Sequence, residues 1–328
     1  MIIVTGGAGF IGSNIIAALN RGQKREIIVS DWLGADDKWR NLARHEVHDI
    51  IRPEALFDFL GQHKSRMEAI IHMGAVSSTT ERDVDKILAA NFRLSCDLWD
   101  WCARSGTPFI YASSAATYGD GAAGFDDDCT PGALQKLRPL NAYGWSKHAF
   151  DRRVARLAAA GRAAPLIWAG LKFFNVYGPN EYHKAEMRSV ICQMVETVTR
   201  GETVKLFKSH HPDYADGGQM RDFVHVRDCA DVVLWLLARG DFRGIYNVGS
   251  GRARSFADLA NAVFAAMNVT PRIEYIDTPA EIRSNYQYYT QAEMGRLRAL
   301  GYNHLFTELE DGVTDYVRNY LLAADRYN

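Results

Sequence analysis

The sequence predicts an α/β protein: a doubly wound parallel sheet carrying a smaller α/β substrate-binding lobe. Two observations lead there. Short apolar, β-branched runs alternate with longer helical patterns through the first half of the chain, and a glycine-rich turn joins the first run to the first helix. Strands that alternate with helices need crossovers on both faces of a parallel sheet, which is the Rossmann arrangement.

Ile2–Val4 is the first expected strand, and Thr5-Gly-Gly-Ala-Gly-Phe-Ile-Gly12 follows it directly. Gly6 permits a sharp turn, Gly9 lets the backbone approach a pyrophosphate, and Gly12 lets helix and strand pack closely. Phe10 and Ile11 then offer unpaired helix-terminal amides to the anion. The helix continues through Ser13–Asn20, and the second strand, Ile27–Ser30, runs into Asp31, nineteen positions after Gly12. A carboxylate there accepts hydrogen bonds from the adenosine ribose hydroxyls. Lys38 follows in the next loop and is placed to pair with a 2′-phosphate instead, so the local charges leave NAD and NADP both open.

Further strands are expected at Ala69–His72, Phe109–Ala112 and Leu166–Phe174, with helices at Pro53–Gln62, Val84–Ser105 and Tyr143–Ala160. Ligands of such sheets lie beyond the carboxyl ends of the strands, which brings Met73, Gly74, Ala75, Val76 and Ser77 to the dinucleotide. Asn91, inside a helical pattern, is a polar group near the same place. After Asn175 the pattern becomes irregular, and Phe223–Val226 and Ile245–Val248 resume short strands. Ser255 and Asp258 have the spacing of a capping box at the head of a helix over Phe256–Met267. The expected division assigns residues 1–174 with 221–248 to the dinucleotide, and 175–220 with 249–328 to the substrate.

Composition narrows the function classes. With 38 Lys+Arg against 39 Asp+Glu the formal charge is −1, so nothing in the net charge draws nucleic acid or an anionic membrane. A hydrophobic content of 47% excludes disorder as the main state. Five cysteines without a Cys-x-x-Cys pair argue against a disulfide scaffold or a metal cluster. The apolar runs near Ile70 and Val232 are too short to span a bilayer, and the first residues lack the features of a signal peptide; the expected address is a reducing cytoplasm.

Tyr143-Gly-Trp-Ser-Lys147 sets a phenol and an ammonium four residues apart, on one face of a helix. An ammonium close to a phenol favours its ionised form, which suits Tyr143 to exchange a proton with an alcohol; Lys147 is also placed to bond the nicotinamide ribose. Ser114, at the end of the run Tyr111-Ala-Ser-Ser114, supplies a hydroxyl that orients the reacting oxygen.

Together with Tyr118-Gly119, these motifs resemble the extended short-chain dehydrogenase/reductase superfamily over nearly the whole chain. Ser77-Ser-Thr-Thr-Glu81, Phe174-Asn-Val-Tyr-Gly-Pro179, His183-Lys184 and Arg221-Asp-Phe-Val224 narrow the resemblance to its ADP-heptose 6-epimerase family. That resemblance implies NADP, with Trp32 and Val176 among its contacts and NAD retained as the alternative. It implies inversion of a heptose carbinol through a ketone, on the way to lipopolysaccharide core. Tyr143 would serve one face of the sugar and Lys184 the other, with a lysine base requiring a depressed pKa. Asn175 would contact the sugar and Arg221 the diphosphate, while Gln193, Phe207, Lys208, Ser209, His210 and Tyr286 would line the ADP-heptose pocket. A closed homo-oligomer is also implied. Met73, Glu186 and Gln193 depart from the family pattern, and the stretch 208–218 is longer than the family's. His183 reads as a packing histidine. Alternatives are a nucleotide-sugar 4-epimerase or dehydratase and, in a different class, an NADP(H)-sensing protein without turnover; the intact Ser114, Tyr143 and Lys147 argue against the last.

Overall fold

The computed structural model describes residues 1–22, 25–279, 283 and 287–328. Its strands are β1 (Ile2–Thr5), β2 (Ile27–Ser30), β3 (Asp49–Ile51), β4 (Ala69–His72), β5 (Phe109–Ser114), β6 (Trp168–Phe173), β7 (Asn175–Tyr177), β8 (Val204–Phe207), β9 (Met220–His225), β10 (Arg243–Val248), β11 (Ala253–Ser255) and β12 (Ile273–Ile276). Seven of them form one sheet in the order β10-β6-β5-β4-β1-β2-β3, every pairing parallel. The order reverses between β1 and β4, and such a switch point opens a ligand crevice at the carboxyl ends of the strands.

Both faces of this sheet are buried, as crossover helices require. Ile2 and Val4 point to one side, against Ile15 and Ile16 of the helix Phe10–Arg21 and Val233 and Leu236 of the helix Val226–Arg239. Ile3 points to the other, against Leu98 and Trp99 of the helix Leu94–Ser105 and Phe150 of the helix Ala142–Ala159. The period of two along each strand thus feeds two separate cores.

A third core joins Ile191, Val195, Leu259, Val263, Val313 and Tyr316 in the smaller lobe. There β11-β9-β7 form a three-stranded sheet and β12-β8 a two-stranded one. β9 pairs with β7 and β11, and the chain returns to the large sheet through the helix Val226–Arg239 and β10, and again at residues 292–302, where Ala292, Leu297 and Tyr302 join its two cores.

Several expected elements change form. The run Leu166–Phe174 is β6 alone; Val176 donates to the Phe174 carbonyl (2.9 Å), and the turn sends Asn175–Tyr177 to the smaller sheet as β7. The helical pattern over Val84–Ser105 contains a π-helical segment, Ala89–Arg93, centred on Asn91. Pro53–Gln62 starts as a 3₁₀ turn and is α-helical only from Leu56. At Ser255 and Asp258 the capping box is complete, with bonds of 2.9 and 3.0 Å. None of the helices among the described residues is long and apolar enough to cross a membrane.

Candidate active site

A cleft of about 690 Å³ opens at the carboxyl ends of β1, β2, β4 and β5. Its floor is the glycine turn. Gly6 adopts φ 63°, and a Cβ on it would lie 2.6 Å from Gly74 Cα, so the turns after β1 and β4 touch backbone to backbone. A Cβ on Gly12 would come within 2.2 Å of the Gly6 carbonyl. The helix Phe10–Arg21 starts at Gly9 with no side-chain cap and no acidic residue in its first turn, leaving its leading amides open to an anion in the cleft.

Behind the floor, buried polar groups are linked in series. The Gly74 N–H donates to Thr5 Oγ1 (3.2 Å), which lies 2.6 Å from His72 Nδ1, and His72 Nε2 lies 2.9 Å from Ser95 Oγ. Burial drives His72 down to about 3, so it is neutral. Ser95 donates to the Asn91 carbonyl (2.7 Å). One tautomer satisfies every member: the Thr5 hydroxyl donates to Nδ1, and Nε2–H donates to Ser95.

Where β2 ends at the cleft, Asp31 is almost fully buried. Its Oδ2 accepts the Ala8 N–H (3.0 Å), and its Oδ1 accepts Lys38 Nζ (2.7 Å), which also donates to the Trp32 carbonyl (2.9 Å). Asp31, Trp32 and Lys38 all line the cleft, as do Met73, Gly74, Ala75, Val76 and Ser77 in the turn after β4 and Val176 opposite. Asn91 lies one step behind them. Its Oδ1 accepts the Val76 N–H (2.8 Å) while its Nδ2 donates to the Val76 carbonyl (2.9 Å) and to Ser146 Oγ (3.0 Å), so it fixes the turn instead of lining the cleft.

Ser114 ends β5, and Tyr143 and Lys147 lie in the opening turns of the helix Ala142–Ala159, which Asn141 caps through the Gly144 N–H (2.8 Å). All three line the cleft. The Ser114 hydroxyl lies close enough to the Tyr143 phenol to act on its ionisation. Lys147 Nζ turns to the Ala112 carbonyl (2.8 Å). The expected lowering of the phenol by the ammonium is therefore corrected: burial raises Tyr143 above its ordinary value, and what opposes the rise is the Ser114 hydroxyl. Burial also brings Lys147 down to about 8 against the pull of Asp151. One turn further along, Asp151 accepts from Ser113 Oγ (2.6 Å) and Tyr111 OH (2.9 Å).

Lys184 reaches the cleft from a short 3₁₀ segment, Tyr182–Met187, with Nζ 5.4 Å from the centre of the Phe10 ring. Burial lowers its pKa, opposed by Glu181. His183 also lines the cleft; burial takes it down to about 4, and its Nδ1 lies 3.2 Å from the Asn41 amide.

Residues 2–249 match the sequence profile of the NAD dependent epimerase/dehydratase family. The chain belongs to that family. ADP-L-glycero-D-manno-heptose-6-epimerase of Nitratidesulfovibrio vulgaris is 50% identical over 327 residues, 99% of each chain. The protein of that name from Fusobacterium nucleatum is 44% identical over 335 residues, the full length of both. The Helicobacter pylori ADP-L-glycero-D-manno-heptose-6-epimerase crystal structure superposes with a TM-score of 0.80 at 26% identity, covering 97% of this chain and 95% of the other. Like the rest of this NAD-dependent family, the chain is an enzyme whose cofactor is a nicotinamide dinucleotide.

The cleft fits that cofactor. The bare helix start and the glycine cradle suit a pyrophosphate, Ser30 Oγ is a buried hydroxyl without a partner at the cleft wall, and Asp31 and Lys38 stand at the ribose end. Ser114 apart, the described residues expected at the sugar nucleotide do not line this cleft. Lys208 pairs with Asp277 (3.3 Å), Ser209 accepts from the His211 N–H and its own N–H donates to Asp216, and the His210 N–H donates to Tyr288 OH. Gln193 Nε2 donates to the Glu186 and Arg188 carbonyls (both 3.2 Å), tying down the segment that carries Lys184. Arg221 donates to the Met220 carbonyl and lies 5.6 Å from the Phe256 ring; Asp222 takes its bonds from Ser250, Gly251 and Ala292. Asn175 is exposed at the head of β7, Phe207 ends β8, and Tyr286 falls outside the described residues. Ser78, Glu81 and Lys86 also line the cleft, with Glu81 and Lys86 paired at 2.9 Å. The Ser77–Glu81 motif was the sequence signal for Glu81, and Lys86 had none.

Proposed function

We propose that this enzyme interconverts ADP-D-glycero-D-manno-heptose and ADP-L-glycero-D-manno-heptose by inversion at C6, using bound NADP. The observation that carries the substrate is the 50% identity, over 99% of both chains, to the N. vulgaris protein of that name. The dinucleotide, held by the glycine turn, Asp31 and Lys38, would supply reversible hydride transfer at the carbinol carbon. The chain supplies the rest. Ser114 orients the sugar oxygen, Tyr143 exchanges its proton on one face, and Lys184, made more acidic by burial, exchanges it on the other. Lys147 holds the nicotinamide ribose.

NADP is favoured by the state of Asp31. Its two oxygens are engaged by the Ala8 N–H and Lys38, so its charge is compensated and turned from a 2′-phosphate, toward which Lys38 brings a cation. On this reading the large-sheet lobe holds the dinucleotide, the smaller lobe with β9 closes over the ADP-heptose, and the enzyme works as a cytoplasmic homo-oligomer supplying lipopolysaccharide core synthesis.

Incubation of the purified enzyme with each ADP-heptose epimer, without added reductant, followed by product chromatography, tests the assignment. The same mixture from either side is expected; recovery of the unchanged starting epimer in both cases would overturn it. Lys38→Ala is expected to weaken NADP by roughly 10- to 100-fold, the worth of a charged hydrogen bond, and NAD much less, measured by equilibrium binding. Equal losses would leave NAD as the cofactor.

A further inference from the structure

We propose that Tyr182, braced by residues 325–328, is a positioning residue for Lys184. The inference rests on the reading of Lys184 as the second proton-exchanging group. Lys184 sits beyond Pro179, on a stretch whose hydrogen bonds run to the dinucleotide-binding lobe. Asn14 Nδ2, on the helix Phe10–Arg21, donates to the Pro179 carbonyl (2.9 Å), and Asn180 Nδ2 donates to Ser13 Oγ (3.1 Å) on the same helix. Asn41 Nδ2 lies 3.1 Å from the Asn180 carbonyl.

Residues 325–328 close the arrangement from outside. The Asn328 N–H donates to Asn180 Oδ1 (3.0 Å), and Asn328 Nδ2 donates to Asn14 Oδ1 (2.8 Å). Tyr182 OH donates to the Arg326 carbonyl (2.6 Å), the Arg326 guanidinium lies 4.5 Å over the Tyr182 ring, and Tyr327 packs edge-on against it (5.4 Å). Arg44 fixes the outer side, donating to the Tyr327 carbonyl (3.0 Å) and pairing with Asp325.

The residue after Lys184 shows that the turn is held. Ala185 has φ 47° and ψ −121°, a conformation an alanine keeps only where its surroundings over-determine it. Glu181 anchors the near side, accepting from Ser189 Oγ and Tyr316 OH, and its carbonyl takes the Lys184 N–H (3.0 Å). Lys184 is thereby fixed relative to the phosphate-binding helix, with its ammonium over Phe10, the first residue of that helix. The second face of the sugar is served by a group locked to the cofactor's own lobe.

Rapid mixing of the holoenzyme with each ADP-heptose epimer, followed by reduced-nicotinamide absorbance, tests this. Each epimer gives up its alcohol proton to a different group, so Lys184→Met is expected to slow one epimer selectively. Deletion of residues 325–328 and Tyr182→Phe are expected to slow that same epimer by about tenfold or more while the other changes by less than about twofold. Tyr182→Phe keeps the ring packing and reports even if the deletion does not fold. A merely structural role would slow both epimers alike, and that result, or unchanged rates in Tyr182→Phe, would overturn the proposal. If Lys184→Met is selective and Tyr182→Phe is not, the positioning claim alone falls. If Lys184→Met is not selective, the two-face reading has failed and the positioning claim falls with it.

Discussion

Tyr143, Lys147 and Asp151 follow one another at helical spacing, and each meets β5: Tyr143 at Ser114, Lys147 at the Ala112 carbonyl, Asp151 at Ser113 and Tyr111. The Tyr143 phenol is thus placed by three successive turns of one helix face against one strand. Tyr143→Phe removes the exchangeable proton but none of this packing. It is expected to lower kcat by roughly 10²- to 10⁴-fold with cofactor content unchanged, read from turnover and bound-nicotinamide absorbance. Asp151 lies 3.9 Å from Lys172 Nζ, both fully buried, and burial raises the acid and lowers the base while each opposes the other's shift. Asp151→Ala would take from Lys172 the stronger of its two carboxylate partners, Asp127 being the other, and is expected to cost about 3 kcal/mol in urea unfolding; a loss below about 1 kcal/mol would show that the pair contributes little. Tyr143, Lys147 and Ser114 were legible because a spacing marks them. Asp151 and Asn41 were not, because their roles depend on strands and loops distant in sequence.

Among the elements, the glycine turn is the most sharply determined. Gly12→Ala would drive a Cβ to 2.2 Å from the Gly6 carbonyl, so the helix must shift from the strand. The variant is expected to lose copurifying cofactor and about 1–3 kcal/mol of stability; retention of both would contradict the close packing. His225 caps the helix Val226–Arg239 by accepting the Arg227 N–H, and burial holds it down at about 4. A base depressed in the folded state contributes fully above its unfolded pKa of about 6.5 and progressively less as pH falls toward its folded value. His225→Asn keeps a capping acceptor without the titration. Relative to the parent, its stability is expected to improve by about 1 kcal/mol between pH 7 and 5.5 in denaturant melts, and a constant difference would contradict the buried neutral state. Six strands of the large sheet were readable as apolar runs, including Ile27–Ser30 and Ala69–His72. β3 was missed: Asp49–Ile51 is a short edge strand that carries little hydrophobic signal. The split of β6 from β7 was missed as well, because pairing with β9 decides it.

At the scale of the molecule, cofactor-side residues gather in one cleft because the sheet's switch point collects strand ends whose turns are written locally in the sequence. The substrate-side assignments around Phe207–His210 and Arg221 lie on the smaller lobe, whose sheets pair β7 with β9 and β8 with β12 over long separations that no local pattern records. Between the lobes, Asn14, Asn41 and Asn180 join the helix Phe10–Arg21 and the loop after β2 to the segment of Lys184. The central claim is a cycle of oxidation and re-reduction at one carbon inside this closed unit. Incubating the enzyme with one ADP-heptose epimer deuterated at C6, in ordinary water and without added reductant, tests it most directly. The account predicts that the other epimer forms with its C6 deuterium retained. Formation of that epimer with the label exchanged into solvent would contradict it.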